Sequence, residues 1–394
     1  MNRGRIRFLQ RVFPPATGAA GAMLKELADF LTDQGWAVEV VCAGETEAQS
    51  KLGGIQVHQV KAPYHSRNLL MRAWSMVRVR AALERKAREL PKPDLVVTLT
   101  DPPGLAVAGA RVARHHGVPH VHWSQDVYPE IAWQLGVLSR NNPLARRLWK
   151  QSSAALKECA AIISISHCMK RILERRGIAP QRIHPISNWT SMEPPEREDP
   201  QTIREAFKLS TAPVLLYAGN FGRVHEFQTL LETAALVPDW TFLLVGDGPR
   251  KTEIETAILK LSLRNTRRLP RQSANDYARL QSLATAHCVT LAATAAGCVL
   301  PSKIYASLPC GKPVIYIGPE ASDAHGLAMR CGLSVRNGAA KELAAQLTNW
   351  NSIEAERWSH RAKALSADYT LTQRAGEVEA VLLAALNARE TKPS

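Results

Sequence analysis

Short apolar runs alternate with amphipathic stretches along the first half of the chain, which predicts strands separated by helices. Residues 5–9 predict a first strand, residues 14–21 a loop containing Gly18 and Gly21, and residues 22–34 a helix. Later apolar runs predict further strands at 37–42, 54–60, 93–104, 118–123 and 160–166. Strand, helix and strand in this order indicate βαβ units and a parallel sheet.

The second half repeats this plan without repeating the first half's sequence. Residues 190–212 are rich in Pro, Glu, Asp and Thr, which is typical of an interdomain connection. After them, strands are predicted to begin at Val214 and to cover 241–245, 288–291 and 313–317, with a helix ending near Val237. We therefore predict an N-terminal domain over 1–190, a C-terminal domain over 191–370, and a helix over 371–394 that packs back on the N-terminal domain.

Composition narrows the class of protein. The 394 residues suffice for two domains with full cores, and 45% hydrophobic with 22% charged residues is typical of globular proteins. Seven scattered cysteines form no Cys-x-x-Cys, which argues against a zinc ribbon or a disulfide framework. No apolar run reaches about 18 residues and no signal-peptide pattern is present, so we expect a cytosolic protein without a membrane-spanning helix.

The net charge of +15 is concentrated in the first half. Residues 1–190 contain 27 Lys and Arg against 14 Asp and Glu, and the remainder 23 against 21. The most basic stretch, 67–92, also has an apolar side with Trp74, which fits a helix that attaches to an anionic membrane surface. A solvated helix face above a buried stripe explains the same pattern, and nucleic acid or a phosphorylated substrate are other anionic partners.

Polar residues follow the strand predicted at 118–123. Asp126 and Glu130 come after it, and His120 and His122 lie within it. Because ligands of open parallel sheets bind beyond the carboxyl ends of the strands, these residues are candidates for binding an acceptor. The alternatives are a helix cap for Asp126, a solvent-facing Glu130 and simply buried histidines.

A helix start with a lysine beside it is predicted at Pro301-Ser302-Lys303, before Gly311 ends the helix. The Ser302 hydroxyl is available to cap free backbone N–H groups. Such a helix start suits an anion such as a diphosphate, as do the glycine loops around Gly18 and Gly21. The alternative is an ordinary loop–helix–strand unit.

Three motifs of the second half resemble the retaining GT4-type glycosyltransferases of the GT-B fold. Residues 217–222 (Tyr-Ala-Gly-Asn-Phe-Gly) look like the donor-side glycine loop of that family, and 245–249 (Val-Gly-Asp-Gly-Pro) like its strand-end turn. Residues 300–303 followed by 310–314 are similar to its diphosphate site. Gly18 with Gly21, residues 125–130 and residues 186–189 also stand in family order. The resemblance spans essentially the whole chain and is closest to colanic-acid and O-antigen glycosyltransferases.

This resemblance implies two Rossmann-like parallel-sheet domains facing a central cleft. It implies catalytic roles for Asp126, Arg223 and Lys303. It assigns the donor to Gly18, Gly219, Asn220, Gly222, Gly246, Gly248, Pro301, Ser302 and Lys303, and the acceptor to Gly21, His122, Asp126 and Glu130. The donor would be a nucleotide-diphosphate sugar, with UDP favoured, and the acceptor a lipid-linked oligosaccharide at the inner face of the cell membrane.

The chain departs from the family at the nucleoside. Many relatives have two glutamates eight positions apart, the second binding the ribose, but Cys298 and Ala306 stand at those positions. Arg223 is present near the donor loop, whereas His225 stands near the usual lysine position. Neither Cys298 nor Ala306 can accept a strong hydrogen bond from a ribose hydroxyl, so this departure leaves open how the ribose is recognised and which nucleotide is bound.

Positive charge and backbone N–H groups would stabilise the departing diphosphate without a metal, since no Asp-x-Asp is present. We expect no cofactor. A nucleotide-sugar 2-epimerase on the same fold, and a non-catalytic membrane- or nucleic-acid-binding protein, are the competing hypotheses. The chain contains no recognisable nucleic-acid motif, so we expect no nucleic-acid partner.

Overall fold

The computed structural model describes residues 3–16, 18–62, 69–192 and 198–388. The chain forms two compact units. Unit 1 comprises Met1–Ser187 and Leu371–Ser394, and unit 2 comprises Asn188–Thr370. In the described parts of both units, no helix is long and apolar enough to cross a membrane.

Unit 1 is built on an eight-stranded sheet in the order β3-β4-β2-β1-β5-β6-β7-β8. Its strands are β1 (Arg5–Leu9), β2 (Ala37–Gly44), β3 (Ala48–Leu52), β4 (Ile55–Lys61), β5 (Leu95–Thr98), β6 (His120–Ser124), β7 (Ala161–Ser164) and β8 (Ile183–Pro185). All neighbouring strands are parallel except β3, which pairs antiparallel with β4 at the edge. The central strands are buried on both faces, as expected of a parallel sheet covered by helices.

Helices cover both faces of this sheet. They are α1 (Ala19–Asp33), α2 (Leu69–Glu89), α3 (Leu105–His116), α4 (Glu130–Gln134), α5 (Pro143–Glu158), α6 (His167–Arg175) and α15 (Leu371–Asn387). After β1 the chain moves toward β2, and after β4 it moves the opposite way along the sheet toward β5. Because crossovers between parallel strands are right-handed, α1 lies on one face of the sheet and α2, α3, α5 and α6 lie on the other. Helix α15 packs against α1, where Glu379 accepts a hydrogen bond of 2.8 Å from Trp36.

Unit 2 contains a six-stranded, all-parallel sheet in the order β11-β10-β9-β12-β13-β14. Its strands are β9 (Val214–Ala218), β10 (Thr241–Val245), β11 (Thr266–Leu269), β12 (Ala286–Thr290), β13 (Val314–Ile317) and β14 (Gly332–Val335). Its helices are α7 (Pro200–Ala206), α8 (Gln228–Leu236), α9 (Lys251–Lys260), α10 (Ala274–Leu283), α11 (Lys303–Ser307), α12 (Asp323–Cys331), α13 (Ala340–Thr348) and α14 (Ser352–Ser366).

The predicted architecture of two parallel-sheet α/β units is confirmed, with local differences. Helix α1 begins at Ala19 rather than Ala22, and its residue Gly21 packs against the backbone of the preceding loop. A Cβ at Gly21 would lie 2.6 Å from the carbonyl oxygen of Val12. The antiparallel edge strand β3 was not predicted, since its exposed polar sequence shows no apolar alternation.

Candidate functional site

Two glycine loops interlock at the carboxyl ends of β9 and β10 in unit 2. The N–H of Gly219 donates to the carbonyl of Val245, and that of Phe221 to Asp247, each at 2.8 Å. Gly246 has a φ of +141°, and a Cβ there would lie 2.0 Å from the carbonyl oxygen of Gly219. The close approach of these loops therefore requires glycine, and it fixes both loops at the sheet edge.

Lys303 extends from the start of α11 onto the first of these loops. Its Nζ lies 3.0 Å from Nε2 of His225 and 5.1 Å from the ring centroid of Tyr217. A Cβ at Gly219 would lie 2.3 Å from Cε of Lys303, so the lysine stem passes directly over that glycine. The glycine loop, the histidine and the Pro-Ser-Lys motif thus meet at one amine.

The tautomer of His225 follows from its other hydrogen bond. Its Nδ1 lies 2.7 Å from the carbonyl oxygen of Thr290, which can only accept. The ring proton is therefore on Nδ1, and the Nε2 lone pair accepts a hydrogen bond from the Lys303 ammonium. Burial, the charge of Lys303 and that of Arg250 lower the pKa of His225 to about 3, which keeps the ring neutral.

Burial also lowers the pKa of Lys303, from 10.5 to about 8. Its ammonium group is held by a neutral ring nitrogen and faces no carboxylate among the described residues. A bound anion would restore the preference for the charged form, because an opposite charge offsets the desolvation of a buried ammonium. The arrangement suits a phosphate group at this amine.

Three other residues that were predicted to bind the donor lie in the two glycine loops: Asn220, Gly222 and Gly248. Asn220 accepts a hydrogen bond of 2.9 Å from Tyr217 through its carbonyl, which fixes the loop. Gly222 is buried beside His225, and a Cβ at Gly248 would lie 2.5 Å from the amide oxygen of Asn220. These residues shape the loops that hold Lys303.

Two expectations about the donor side need correction or qualification. Pro301 is buried and precedes α11 as predicted, but Ser302 is exposed and its side chain caps no N–H group in the described structure. The capping role of its hydroxyl was therefore wrong. Arg223 is exposed, and among the described residues it has no hydrogen bond or ion pair, so the structure does not bring it to Lys303.

Unit 1 contains a small cavity beyond the carboxyl ends of β5 and β6. Its volume is about 20 Å³, enough for one water molecule. The lining includes Thr100, Gly104, His122, Ser124, Asp126, Tyr128, Ser152 and Arg176. The hydroxyl of Thr100 accepts from the N–H groups of Gln125 at 2.8 Å and Asp126 at 3.3 Å, which holds the loop that carries Asp126.

The Asp126 carboxyl group has a pKa raised to about 7 by burial and by the nearby charge of Asp101. Asp101 itself pairs with Arg11 at 2.7 Å. No described residue donates a hydrogen bond to the Asp126 carboxylate, so this side chain is not a helix cap. A carboxyl group with a pKa near neutrality can take up a proton from a hydroxyl group. It can also bind the hydroxyl group by accepting a hydrogen bond from it.

Glu130 forms an ion pair with Arg176 instead of facing solvent. Its Oε1 accepts from Nε of Arg176 at 2.7 Å and from Nε1 of Trp149 at 3.0 Å, and its Oε2 pairs with the same guanidinium. Both carboxylate oxygens are thus engaged in a nearly buried ion pair. The acceptor-binding role predicted for Glu130 stays a prediction, and Arg176, which lines the cavity, was not predicted.

His122 lines the cavity with Asp126. Its Nδ1 lies 2.9 Å from the hydroxyl of Thr98, and burial, followed by the charge of Arg176, lowers its pKa to about 3. In unit 1, the loop that contains Gly18 needs glycine for packing, because a Cβ at Gly18 would lie 3.0 Å from the side chain of Val12. The packing of Gly18 and Gly21 gives no evidence of its own for an anion.

Two family models match this chain, and the boundary between the two matches agrees with the division into two units. The model of the glycosyl transferase 4-like domain matches residues 18–189, and the model of glycosyl transferases group 1 matches residues 212–350. Together these matches cover most of the chain. One lies in unit 1 apart from its last two residues, and the other lies in unit 2.

Two curated relatives are similar to parts of the chain. WcaI of Escherichia coli (strain K12), named as a colanic acid biosynthesis glycosyl transferase, is 25% identical over 56% of this chain and 56% of its own length. WbjE of Pseudomonas aeruginosa, named as a glycosyltransferase, is 26% identical over 60% of this chain and 62% of its own length. The chain thus spans somewhat more than half the length of each.

A solved structure extends the likeness in fold to nearly the whole chain. The crystal structure of Anabaena HepE in complex with UDP-glucose superposes with a TM-score of 0.73 at 16% identity, covering 97% of this chain and 100% of that one. The two family models, the order of the motifs and the paired parallel sheets agree. The chain therefore belongs to the GT4-type glycosyltransferases of the GT-B fold.

Proposed function

We propose that this protein transfers a sugar from a nucleotide-diphosphate sugar to a lipid-linked oligosaccharide, with retention of anomeric configuration, during synthesis of a surface polysaccharide. A UDP-sugar is the favoured donor. The name of WcaI supports the polysaccharide context, and the UDP-glucose bound to HepE supports the class of donor. Because Cys298 and Ala306 stand where many relatives have glutamates, other residues must bind the ribose of the donor.

The observation that carries this proposal is the amine of Lys303 at the donor loop. When the bond between the sugar C1 and the phosphate oxygen breaks, the nucleoside diphosphate leaves with additional negative charge. Lys303 is held at 3.0 Å by the Nε2 of His225, so its charge is positioned before the reaction begins. Preorganised charge of this kind stabilises the transition state without reorganisation during the reaction.

The acceptor side needs less from the protein. In the proposed reaction the acceptor oxygen forms the new bond to C1, and its proton passes to the leaving phosphate oxygen. Asp126 binds and orients the acceptor hydroxyl, and His122 lines the same cavity. Arg223 is exposed, so we assign it a contact to the donor that forms only with the donor bound.

Attachment to the cytoplasmic membrane surface is supported by the charge of one helix layer of unit 1. Helices α2, α3, α5 and α6 contain fifteen Lys and Arg against four Asp and Glu, whereas α1 and α15 contain two against five. On α2, Met71 and Trp74 are 62% and 63% exposed, and the guanidinium of Arg78 lies 4.7 Å from the Trp74 ring. Exposed aromatic and basic side chains together favour an anionic bilayer.

Part of the predicted membrane stretch cannot contribute to this argument. Arg67 lies outside the described residues, as does the side chain of Arg72. Arg80 is half-buried beside Gly104, and Lys86 pairs with Glu47 at 2.9 Å. The exposed basic face of α2 consists instead of Arg78, Arg85 and Arg88.

A panel of UDP- and GDP-sugars tests the proposal. With a polyprenyl-diphosphate oligosaccharide acceptor, one donor is expected to release nucleotide and extend the acceptor with retained configuration. The Lys303→Ala variant should lose this activity, while Lys341→Ala, at an exposed lysine in the same unit, should keep it. Conversion of a nucleotide sugar into its 2-epimer would favour the epimerase hypothesis, and no turnover of any donor would contradict catalysis.

A further inference from the structure

Four buried side chains form a hydrogen-bonded series that leads from the end of α5 to the cavity of unit 1. The Sγ of Cys159 lies 3.4 Å from Nδ1 of His120, and Nε2 of His120 lies 2.7 Å from the Thr98 hydroxyl. The same hydroxyl lies 2.9 Å from Nδ1 of His122. None of these side chains except His122 lines the cavity, so the series connects it to the interior of the unit.

Each member of this series keeps a defined number of protons. Burial lowers the pKa of both His120 and His122 to about 3, so each imidazole is neutral and has one N–H group. Burial, followed by the charge of Glu158, raises the pKa of the Cys159 thiol, which therefore keeps its proton. Each hydrogen bond in the series thus has one donor, and the direction of one bond fixes the next.

The direction is set at Cys159. Its Sγ also lies 3.4 Å from the carbonyl oxygen of Ala155, and because a carbonyl can only accept, the thiol proton points there. The sulfur then accepts from Nδ1–H of His120, whose Nε2 accepts from the Thr98 hydroxyl. The Thr98 oxygen in turn accepts from Nδ1–H of His122. The opposite direction would leave the contact between Cys159 and Ala155 without a proton.

The surrounding fold holds this direction in place. Thr98 and His122 are register partners on β5 and β6, which keeps the Thr98 hydroxyl beside Nδ1 of His122. Helix α3 packs on these side chains at Gly109. A Cβ at that position would lie 2.4 Å from the Thr98 methyl group and 2.5 Å from Nε2 of His120. The absence of a side chain at Gly109 therefore allows helix α3 to pack closely on Thr98 and on the His120 ring.

We propose that Thr98, His120 and Cys159 are positioning residues that hold His122 as its Nδ1–H tautomer and present the Nε2 lone pair to the cavity beside Asp126. No described residue donates to that nitrogen. The cavity then offers two hydrogen-bond acceptors, an imidazole nitrogen and a carboxylate, and no N–H donor from His122. This combination selects a hydroxyl group of the acceptor, and this step rests on the proposed transfer reaction.

Nitrogen NMR of the ligand-free protein tests the tautomer without any assumption about activity. With ¹⁵N-labelled histidine, and with His122→Gln to assign the signal, the proton of His122 is expected on Nδ1 across the neutral pH range. A proton on Nε2, or a mixture of both forms, would overturn the proposal. A wild-type protein with the expected tautomer but no transferase activity would count against the proposed function alone.

Two substitutions at Thr98 connect the tautomer to acceptor binding. Thr98→Val keeps the methyl group that packs on Gly109 but removes the hydroxyl, whereas Thr98→Ser keeps the hydroxyl. The valine variant is expected to lose the single tautomer and to raise the acceptor KM about three- to tenfold, the scale of one net hydrogen bond, with the donor KM unchanged. The serine variant should restore both readouts. An unchanged acceptor KM in a folded Thr98→Val protein would refute the positioning role.

Discussion

The candidate site of each unit contains an ionisable side chain whose pKa is moved toward neutrality by burial, and the two shifts have opposite signs. In unit 2 the pKa of Lys303 falls to about 8, and in unit 1 that of Asp126 rises to about 7. In both cases the charged form is disfavoured until a ligand arrives. The comparison assigns the two chemical tasks, because an amine suits a diphosphate and a carboxyl suits a hydroxyl group.

The two side chains differ in how tightly they are held. Lys303 is fixed by His225, by the ring of Tyr217 and by the surface of Gly219. Asp126 is held only through its backbone, by Thr100 and Ser124, and its carboxylate has no donor among the described residues. A fixed charge serves a transition state, whereas an unengaged carboxylate serves a substrate that brings its own hydroxyl.

The largest effect is expected from removal of the amine. Lys303→Ala should lower the kcat of transfer by about 10²- to 10³-fold, the scale of losing a preorganised donor to a developing negative charge. Lys303→Arg keeps the charge but not the compact point donor, so an intermediate loss is expected. Steady-state kinetics with both substrates varied measures this. Near-wild-type kcat in the alanine variant would remove Lys303 from the mechanism.

Asp126→Asn should have a smaller effect, about tenfold, because it loses one hydrogen bond to a charged group. The loss should appear mainly in the acceptor KM, since the donor is assigned to unit 2. Glu130→Gln, at the start of the adjacent helix α4, is the matched comparison, and it should instead lower thermal stability by weakening the pair with Arg176. An increase in donor KM for Asp126→Asn, with acceptor KM unchanged, would contradict the division of tasks.

The pH dependence of kcat/KM sharpens the comparison further. Acceptor use should rise with pH as Asp126 ionises near pH 7, and donor use should decline as Lys303 loses its proton near pH 8. A narrow bell is therefore expected. Asp126→Asn should remove the acidic limb, and Lys303→Arg should move the alkaline limb upward. A flat profile between pH 6 and 9 would show that neither group titrates during the reaction.

The smallest effect on chemistry is expected from the basic helix face. Reversing Arg78, Arg85 and Arg88 to Glu should weaken sedimentation with anionic liposomes and leave turnover of a short, water-soluble acceptor within about twofold, since binding to the surface is electrostatic. Reversing the exposed Lys260, Lys341 and Arg357 of unit 2 is the control with equal charge change. Equal liposome binding by the two triple variants would contradict a specific membrane face.

The sequence was informative wherever a short segment determines the structure. The parallel sheets follow from apolar runs, and Lys303 and Asp126 follow from motifs at strand ends. Side-chain partners that are distant in the sequence were not predictable in the same way. His225 precedes Lys303 by 78 positions and Arg176 follows Glu130 by 46, and neither pair shows a local pattern. Arg176 is buried, although it lies in a basic segment of the sequence.

Calorimetric titration with UDP and with GDP tests the central claim, that Lys303 binds the diphosphate of the donor. At pH 8 about half of the Lys303 amines are uncharged before binding. Titrations in buffers of different ionisation enthalpy should therefore reveal uptake of a fraction of a proton by the wild type with the preferred nucleotide, and none by Lys303→Arg, with weaker binding by Lys303→Ala. Equal affinity of wild type and Lys303→Ala, without proton uptake, would contradict the claim.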